Sequence, residues 1–357
     1  MRENKKASKE RNPSTVTVRG LAQHLGLSAA TVSTALNGAR PAGFVTEATR
    51  QQVWQAAREM GYPLEKLRAR RPALERVAVF VHRFSVFQAT ALEICERLSG
   101  SQSQVMLHIG DDDHADAQKA LFLFQRGEID GAIFLGSRDK EAAGAVGDVP
   151  CVFIGDIAGE GPTAEHWRVS VDNPAGARLA AEHLLALGHQ RVGAVMPDHA
   201  PPAAVRRLLH FAAAWQDAGL AFTEDHTVYV PYDLRGAGRQ NVLAFLQRHQ
   251  QAGAPVTALF CYNDRIAAHI LTTLHQNCIP VPGQVSVVGF DDVDYASLLL
   301  PSLTTVHNPF EEQGRLAVDL LHEQLRDPAA PPRTVVLECS LIARGSTSTV
   351  SPSFSLT

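Results

Sequence analysis

Ala22, Gly26 and Val32 are separated by four and then six positions, with Ser28 between the last two. This spacing suits two short helices that cross closely at a small residue, turn through a glycine tolerant of positive φ, and lock through an apolar side chain. Ser28 stands where it can cap the second helix and also donate a hydrogen bond to a phosphate. The chemistry on offer is recognition of a polyanion, although a plain helical hairpin shares the same spacing. Charge favours the first reading. Residues 1–71 hold 13 Lys+Arg against 5 Asp+Glu, a balance of +8, while the other 286 residues carry −12 and the whole chain −4. A small basic module joined to an acidic body is expected.

Catalytic chemistry finds little support. The chain has no G-x-x-x-x-G-K-[ST], G-x-S-x-G or H-E-x-x-H. Gly236–Asn241 lacks the third glycine of a dinucleotide loop. Asp111–Asp113 are consecutive, so their carboxylates point apart, and a solvated loop is expected. His183 and His189 are spaced poorly for a shared metal and read as structural. Five scattered cysteines (Cys95, Cys151, Cys261, Cys278, Cys339) include no C-x-x-C pair, which argues against a zinc ribbon or disulfide framework and fits a reducing cytosol. No cofactor or metal is expected. The basic N-terminus leads into no signal-like apolar run and no run is long enough to span a bilayer, so a cytoplasmic location is expected.

The elements that must position these residues follow from periodicity. Leu21, Ala22 and Leu25, then Val32, Ala35 and Leu36, then Val53, Trp54, Ala57 and Met60 mark three helices within residues 15–62. Residues 1–14 read as a disordered basic tail, and residues 63–76, with Arg68, Arg70, Arg71 and Pro72, as a hinge or linker. From there strand-like runs (Val77–Val81, Gln104–Ile109, Ala132–Leu135, Val152–Ile154, Arg191–Met196, Ala258–Cys261, Val285–Phe290) alternate with amphipathic stretches such as Ala175–Leu187, Ala204–Ala218 and Gly314–Leu325. Asp172-Asn173-Pro174 is a helix start and Gly188 a stop. Repeated βα units predict parallel sheets covered by helices, and residues 77–345 are long enough for two such subdomains. Residues 346–357 read as a disordered tail.

The segment TVRGLAQHLGLSAATVSTALNG (17–38) resembles the opening of the lactose-repressor-type (LacI/GalR) family of bacterial transcription regulators. The resemblance continues through TEATRQQVWQAAREMGY (46–62), VDNPAGARLAAEHLLALGHQRVG (171–193), CYNDRIAAHIL (261–271), VSVVGFDDVDYA (285–296) and PSLTTVHNPFEEQGRLAVDLL (301–321). It implies a small all-α helix-turn-helix headpiece on an α/β periplasmic-binding-protein-like body of two parallel-sheet subdomains. Residues 77–171 and 307–329 would form one and residues 172–306 and 330–345 the other, with crossovers near Val171–Asn173, Val306–Asn308 and Ala329–Pro331. It further implies a homodimer on palindromic double-stranded operator DNA, repressing transcription. By position, Ala29, Ala30 and Thr34 fall where base edges are read, and Thr17, Ser28, Thr31, Ser33 and Asn37 where phosphates are touched or the helix is braced. Alanines can offer only methyl contacts to thymine, or simply suit a helix.

Two departures stand out in the headpiece. GARPAGFV, between Asn37 and Thr46, is longer than the family's connection, and PLEKLRARRPALE is shorter than its hinge. The hinge leucine that normally wedges into the minor groove is matched best by Leu67, with Leu64 and Leu74 as alternatives. Arg68 remains a groove or phosphate contact.

For the body, the resemblance implies a small-molecule effector, a sugar or sugar derivative, held between the subdomains at the carboxyl ends of the strands. Arg207 matches the family's effector-binding arginine. Asn263 and Asp291 sit at strand ends, and a guanidinium, an amide and a carboxylate together satisfy adjacent hydroxyls. Phe310, Phe84 and Phe87 would flank the ligand. Gly155 stands where an Asp often touches effector, with Asp156 one place later. The loop HRFSVFQAT is shorter than usual, and His210 and His269 replace common glycines, so a degenerate pocket stays open as an alternative. So do a free-standing sugar-binding protein and an enzyme of the same body fold.

Overall fold

Thr17 starts the first helix, its Oγ1 accepting the Gly20 N–H at 3.2 Å in the computed structural model. The model describes residues 16–37, 46–62, 74–82, 86–110, 112–136, 138–158, 165–231, 237–327 and 329–350. Helix α1 (Val18–Leu25) ends at Gly26, whose φ of 65° returns its N–H to the Ala22 carbonyl. Helix α2 (Ala29–Asn37) follows, and α3 (Glu47–Glu59) begins at Thr46, whose hydroxyl accepts the Thr49 N–H. Leu21, Ala22, Val32, Ala35, Leu36, Val53, Ala56 and Ala57 share one core. Trp54 Nε1 donates to the Ala35 carbonyl at 3.1 Å and ties α3 to α2.

The body holds two six-stranded sheets. The first is built from β1 (Arg76–His82), β2 (Gln104–Gly110), β3 (Gly131–Leu135), β5 (Cys151–Ile154), β7 (Arg168–Val171) and β13 (Thr334–Leu337), after a short paired ribbon of β4 (Arg138–Asp139) and β6 (Ile157–Ala158) is set aside. Its order is β13-β7-β5-β3-β1-β2, all parallel. Val79, Val81, Ile133 and Val152 face α4 (Gln88–Gly100) and α11 (Phe310–Arg326) on one side. On the other, Phe80, Phe134 and Phe153 stack at 4.9 and 5.1 Å against α5 (Asp113–Gln125), with α6 (Lys140–Gly144) beside it.

The second sheet runs β14-β12-β11-β10-β8-β9, from β8 (Val192–Pro197), β9 (Thr227–Val230), β10 (Ala258–Cys261), β11 (Ser286–Asp291), β12 (Thr304–His307) and β14 (Ser340–Ile342), with only β14 antiparallel among its described pairings. Leu259 and Val287 pack on α9 (Ala237–Gln251) and α10 (Asp264–Gln276), and Phe260 and Phe290 on α7 (Asn173–Ala186) and α8 (Pro202–Asp217). Asp172 caps α7 by accepting the Ala175 N–H at 2.9 Å, and Gly188 takes φ 85° just past its end.

Three expectations need correction. The third crossover falls at Glu338–Cys339 rather than 329–331, because Thr334–Leu337 first pairs in parallel register with Arg168–Val171 and extends the first sheet. Leu74 is 3% exposed in the core of the first lobe, so it has no freedom to act as a groove wedge. The tail expected to be disordered from residue 346 is bound as far as residue 350. Ser346 is fully buried, its Oγ donating to the Val287 carbonyl at 2.6 Å and accepting the Thr304 N–H at 2.8 Å. Val350 N–H donates to the Leu187 carbonyl at 3.0 Å.

Two histidines hold this strap. His183 Nε2 lies 3.0 Å from Thr347 Oγ1, and His189 bridges Thr257 Oγ1 at 2.9 Å and the Ser348 carbonyl at 3.2 Å. Burial pushes both below the ordinary imidazole value of 6.5. The unfolded chain therefore takes up these protons first. Stability from the neutral rings is complete above the unfolded value and is lost as pH falls below it. Denaturant midpoints measured from neutral pH down to about pH 5 are expected to decline. The double substitution His183→Gln, His189→Gln should flatten part of that decline, His108 and His226 being lowered too. An unchanged pH slope in that variant would remove the strap's role.

Candidate functional site

Two surfaces bring the sequence candidates together. In the headpiece, Ser28, Ala29 and Ala30 lie exposed on the first turn of α2, with Thr31, Ser33 and Thr34 half-buried behind them. Ala29 with Ser33, and Ala30 with Thr34, are four residues apart and share a helix face. That face offers three methyls and two hydroxyls, chemistry suited to apolar and single hydrogen-bond contacts rather than bidentate ones. Ser28 Oγ accepts the Thr31 N–H at 2.9 Å and lies 2.7 Å from Thr31 Oγ1, so the pair braces the helix start that would face a phosphate. Thr17 is exposed and caps α1, and Asn37 closes α2. Leu64, Leu67, Arg68 and Phe84 lie outside the described residues. Ser28→Ala is expected to cost the headpiece about 1 kcal/mol by loss of the cap, read as a lower headpiece melting transition; an unchanged transition would show that Ser28 does not support the helix.

The second surface is the cleft between the two sheets. Arg207, on α8, is 4% exposed and lies flat on Phe290, its guanidinium carbon 3.5 Å from the ring centre. Its Nε donates to Asn173 Oδ1 at 2.8 Å, Nη1 to the Tyr262 carbonyl at 2.8 Å and Nη2 to Asp291 Oδ1 at 3.2 Å. Asp291 ends β11 at φ 109° and also accepts from Asn308 Nδ2 at 3.1 Å. Asn308 in turn accepts from Gln313 Nε2 at 2.5 Å, on α11 of the first lobe. At the other end, Asn173 Nδ2 donates to Asp156 Oδ2 at 3.0 Å, and Arg206 Nε stands 3.7 Å from the same carboxylate.

Asp156, Asn173, Arg207, Asp291, Asn308 and Gln313 therefore form one buried chain of hydrogen bonds. It leaves the first lobe, traverses the second and returns through two of the crossovers. Burial pushes the Asp291 carboxyl up, while Arg207 and the Asn308 hydrogen bond pull it down. Asp264, at the start of α10, is raised well above the ordinary carboxylate range by burial and the nearby Asp291 charge. It accepts from Thr305 Oγ1 at 2.5 Å and from the Val293 N–H at 3.0 Å, fixing the loop after β11.

The cleft encloses a cavity of about 90 Å³. Phe87 and Phe310 line it, meeting edge to face at 6.0 Å. Asn263 is not among its walls. The Asn263 side chain, 1% exposed, accepts the Ile266 N–H at 3.0 Å as the cap of α10. Residue chemistry alone overlooked Asn173, Tyr262, Asn308, Gln313 and His82, all of which line the cavity. A signal existed for two of them: both early crossovers read Val-x-Asn, at 171–173 and 306–308. Among the described residues no group of three or more His, Cys, Asp or Glu is placed to hold a metal ion. The described cavity wall offers hydrogen-bonding groups that are engaged with one another.

Comparison with known proteins follows this geometry. Residues 181–347 match the periplasmic binding protein-like domain family. The chain is 32% identical over 314 residues to the HTH-type transcriptional regulator GalS of Salmonella typhimurium, covering 85% of this chain and 88% of that one. It is 29% identical over 339 residues to the HTH-type transcriptional repressor CytR of Escherichia coli, covering 93% and 96%. Among solved structures it is similar to the transcriptional regulator CelR in complex with cellobiose, with a TM-score of 0.66, 25% identity, and 93% and 99% of the two chains covered.

Proposed function

The chain belongs to the lactose-repressor-type (LacI) family of DNA-binding transcriptional regulators, and from that premise we propose that it represses from a palindromic operator under control of an uncharged, hydroxyl-rich small molecule bound between its lobes. The hydrogen-bonded chain from Asp156 to Gln313 carries this reading, because it joins both lobes through the two crossovers. Its charges are already compensated: Arg207 by Asp291, and Asp156 by Arg206. A neutral sugar or nucleoside suits such a wall better than an ion, and the relative solved with cellobiose accords with that.

A cavity of about 90 Å³ is smaller than the ~300–1,000 Å³ of ligand sites in general. A sugar must therefore part the lobes or exchange its hydroxyls for the internal hydrogen bonds. Either event gives the ligand different affinities for two lobe arrangements, which linkage requires. The same small cavity favours a second reading, in which the site is degenerate and the network is purely structural. One experiment separates them: titrate a selected genomic operator fragment with the full chain, with and without a panel of neutral mono- and disaccharides and nucleosides. A shift of operator affinity by one panel member supports control. Binding of the operator with no response to any member supports the degenerate site, and no binding to any genomic fragment overturns the regulator itself.

The partner in DNA binding would be a second copy of the chain, in the reducing cytoplasm. Apolar side chains exposed on both lobes support this: Ile109 on the edge strand β2, and Leu298 and Leu300 in the second lobe, at 63%, 78% and 92% exposure. Leu300→Glu combined with Ile109→Lys is expected to yield monomers in sedimentation and to weaken operator binding at least tenfold. A dimer that survives both changes would place the interface elsewhere. No helix among the described residues is long and apolar enough to cross a membrane.

A further inference from the structure

We infer that His82, oriented by Asp113, is a specificity-determining contact for a hydroxyl-bearing ligand in the cleft, an inference that rests on the effector reading above. His82 is the last residue of β1, at the carboxyl end of the first parallel sheet, and its ring lines the cavity. Its Nδ1 lies 3.1 Å from Asp113 Oδ1, both side chains being about one-fifth exposed. Asp113 is the first residue of α5, where the helix terminus favours a carboxylate. Behind the ring, Gly136 takes φ 117°, and a Cβ there would meet His82 Cβ at 3.1 Å. Asp113 thus holds the imidazole at Nδ1, and the absence of a side chain at Gly136 leaves room for the His82 Cβ.

This geometry decides what the ring offers. Whenever the ring is neutral, a carboxylate on Nδ1 takes its N–H, which leaves Nε2 as a hydrogen-bond acceptor. Among the described residues Nε2 has no hydrogen-bond partner, whereas Arg207, Asp291 and Asn308 on the facing wall are engaged with one another. An incoming molecule can satisfy Nε2 without breaking anything. It needs an O–H to do so, which a sugar or nucleoside brings and a fully ionised phosphate or carboxylate does not. His82 thereby selects hydroxyl donors on the first lobe, while the second lobe requires exchange of existing bonds.

The test is calorimetry on the full chain with glucose, galactose, ribose, cellobiose, adenosine, cytidine and glucose 6-phosphate as probes. His82→Asn keeps an amide N–H for Asp113 but ends short of Nε2. It is expected to weaken the bound probe about tenfold or more, with the melting temperature unchanged. Asp113→Ala should weaken it as well, and Asp113→Asn, which retains an acceptor for Nδ1, should recover most of the loss. Equal affinity in native and His82→Asn chains overturns the inference alone. Failure of every probe to bind the native chain, or undiminished binding by Arg207→Ala, overturns the cleft reading with it.

Discussion

Arg207→Ala is expected to abolish any effect of a cleft ligand on operator binding and to cost the body about 3–5 kcal/mol. The size follows from what the guanidinium leaves behind. Asp291, 3% exposed, loses its ion-pair partner, and Asn173 and the Tyr262 carbonyl each lose a donor. The Phe290 face is uncovered at the same time. Removing one member of a buried ion pair is far more damaging than removing both. The pair Arg207→Met, Asp291→Asn should therefore recover most of the stability, because the charge and much of the hydrogen-bonding demand leave together. It should not recover the ligand response. Denaturant unfolding and operator titration of the three chains check this. A loss below about 1 kcal/mol in Arg207→Ala would show that the network is not a tight joint between the lobes.

The second large effect is expected at Gly289, two residues before Asp291 on β11. A Cβ there would lie 2.1 Å from Asp264 Oδ1 and 2.9 Å from Leu303 Cδ2. Asp264 has nowhere to retreat, since Thr305 and the Val293 N–H hold its two oxygens. Gly289→Ala should destabilise the second lobe by about 3 kcal/mol or more and displace the end of β11 that carries Asp291. Introducing Asp264→Ala into the same chain removes the clash with the carboxylate and leaves the contact with Leu303. The double variant is expected to be more stable than Gly289→Ala alone, a coupling that denaturant curves measure directly. Additive losses would mean that the strand, and not the carboxylate, yields.

Much of this architecture was legible in the residues. The headpiece announced itself through Ala22, Gly26 and Val32, because a close crossing, a left-handed turn and a locking side chain each demand a particular type. The buried strands of the two sheets were equally plain, being continuous apolar runs such as Val77–Val81 and Val285–Phe290. The strands that escaped notice were Arg168–Val171, Thr227–Val230, Thr304–His307, Thr334–Leu337 and Ser340–Ile342. Each is four residues or fewer, and several carry Thr or Ser inward: Thr304 and Thr305 are fully buried because Thr347 and Asp264 satisfy their hydroxyls, while Ser346 accepts the Thr304 N–H. Such strands are specified by partners far along the chain, which no local pattern reveals.

The cleft was half legible for the same reason. Arg207, Asp291, Asp156 and Phe310 meet there, but Asn263 caps α10 and is not among the cavity walls. The strap over residues 346–350 was hidden behind a composition of Ser and Thr that normally marks a solvated tail. Its Ser346 hydroxyl instead bonds backbone groups of the second sheet, and its Ser348 N–H donates to the Ser286 hydroxyl.

The late third crossover also sets the order in which a newly made chain can mature. The headpiece is complete once residue 62 has left the ribosome, yet the lobe that follows must wait for α11 and β13 at residues 310–337. Until then Val79, Val81, Ile133 and Val152 are covered on that side of their sheet by α4 without α11. The other lobe, though encoded mostly in between, finishes only when Ser346 arrives. A stop codon between the start of the second lobe and Phe310 thus releases a complete headpiece fused to two unfinished halves, the half nearest the start of the message lacking α11 and β13 just as the other lacks its closing strand.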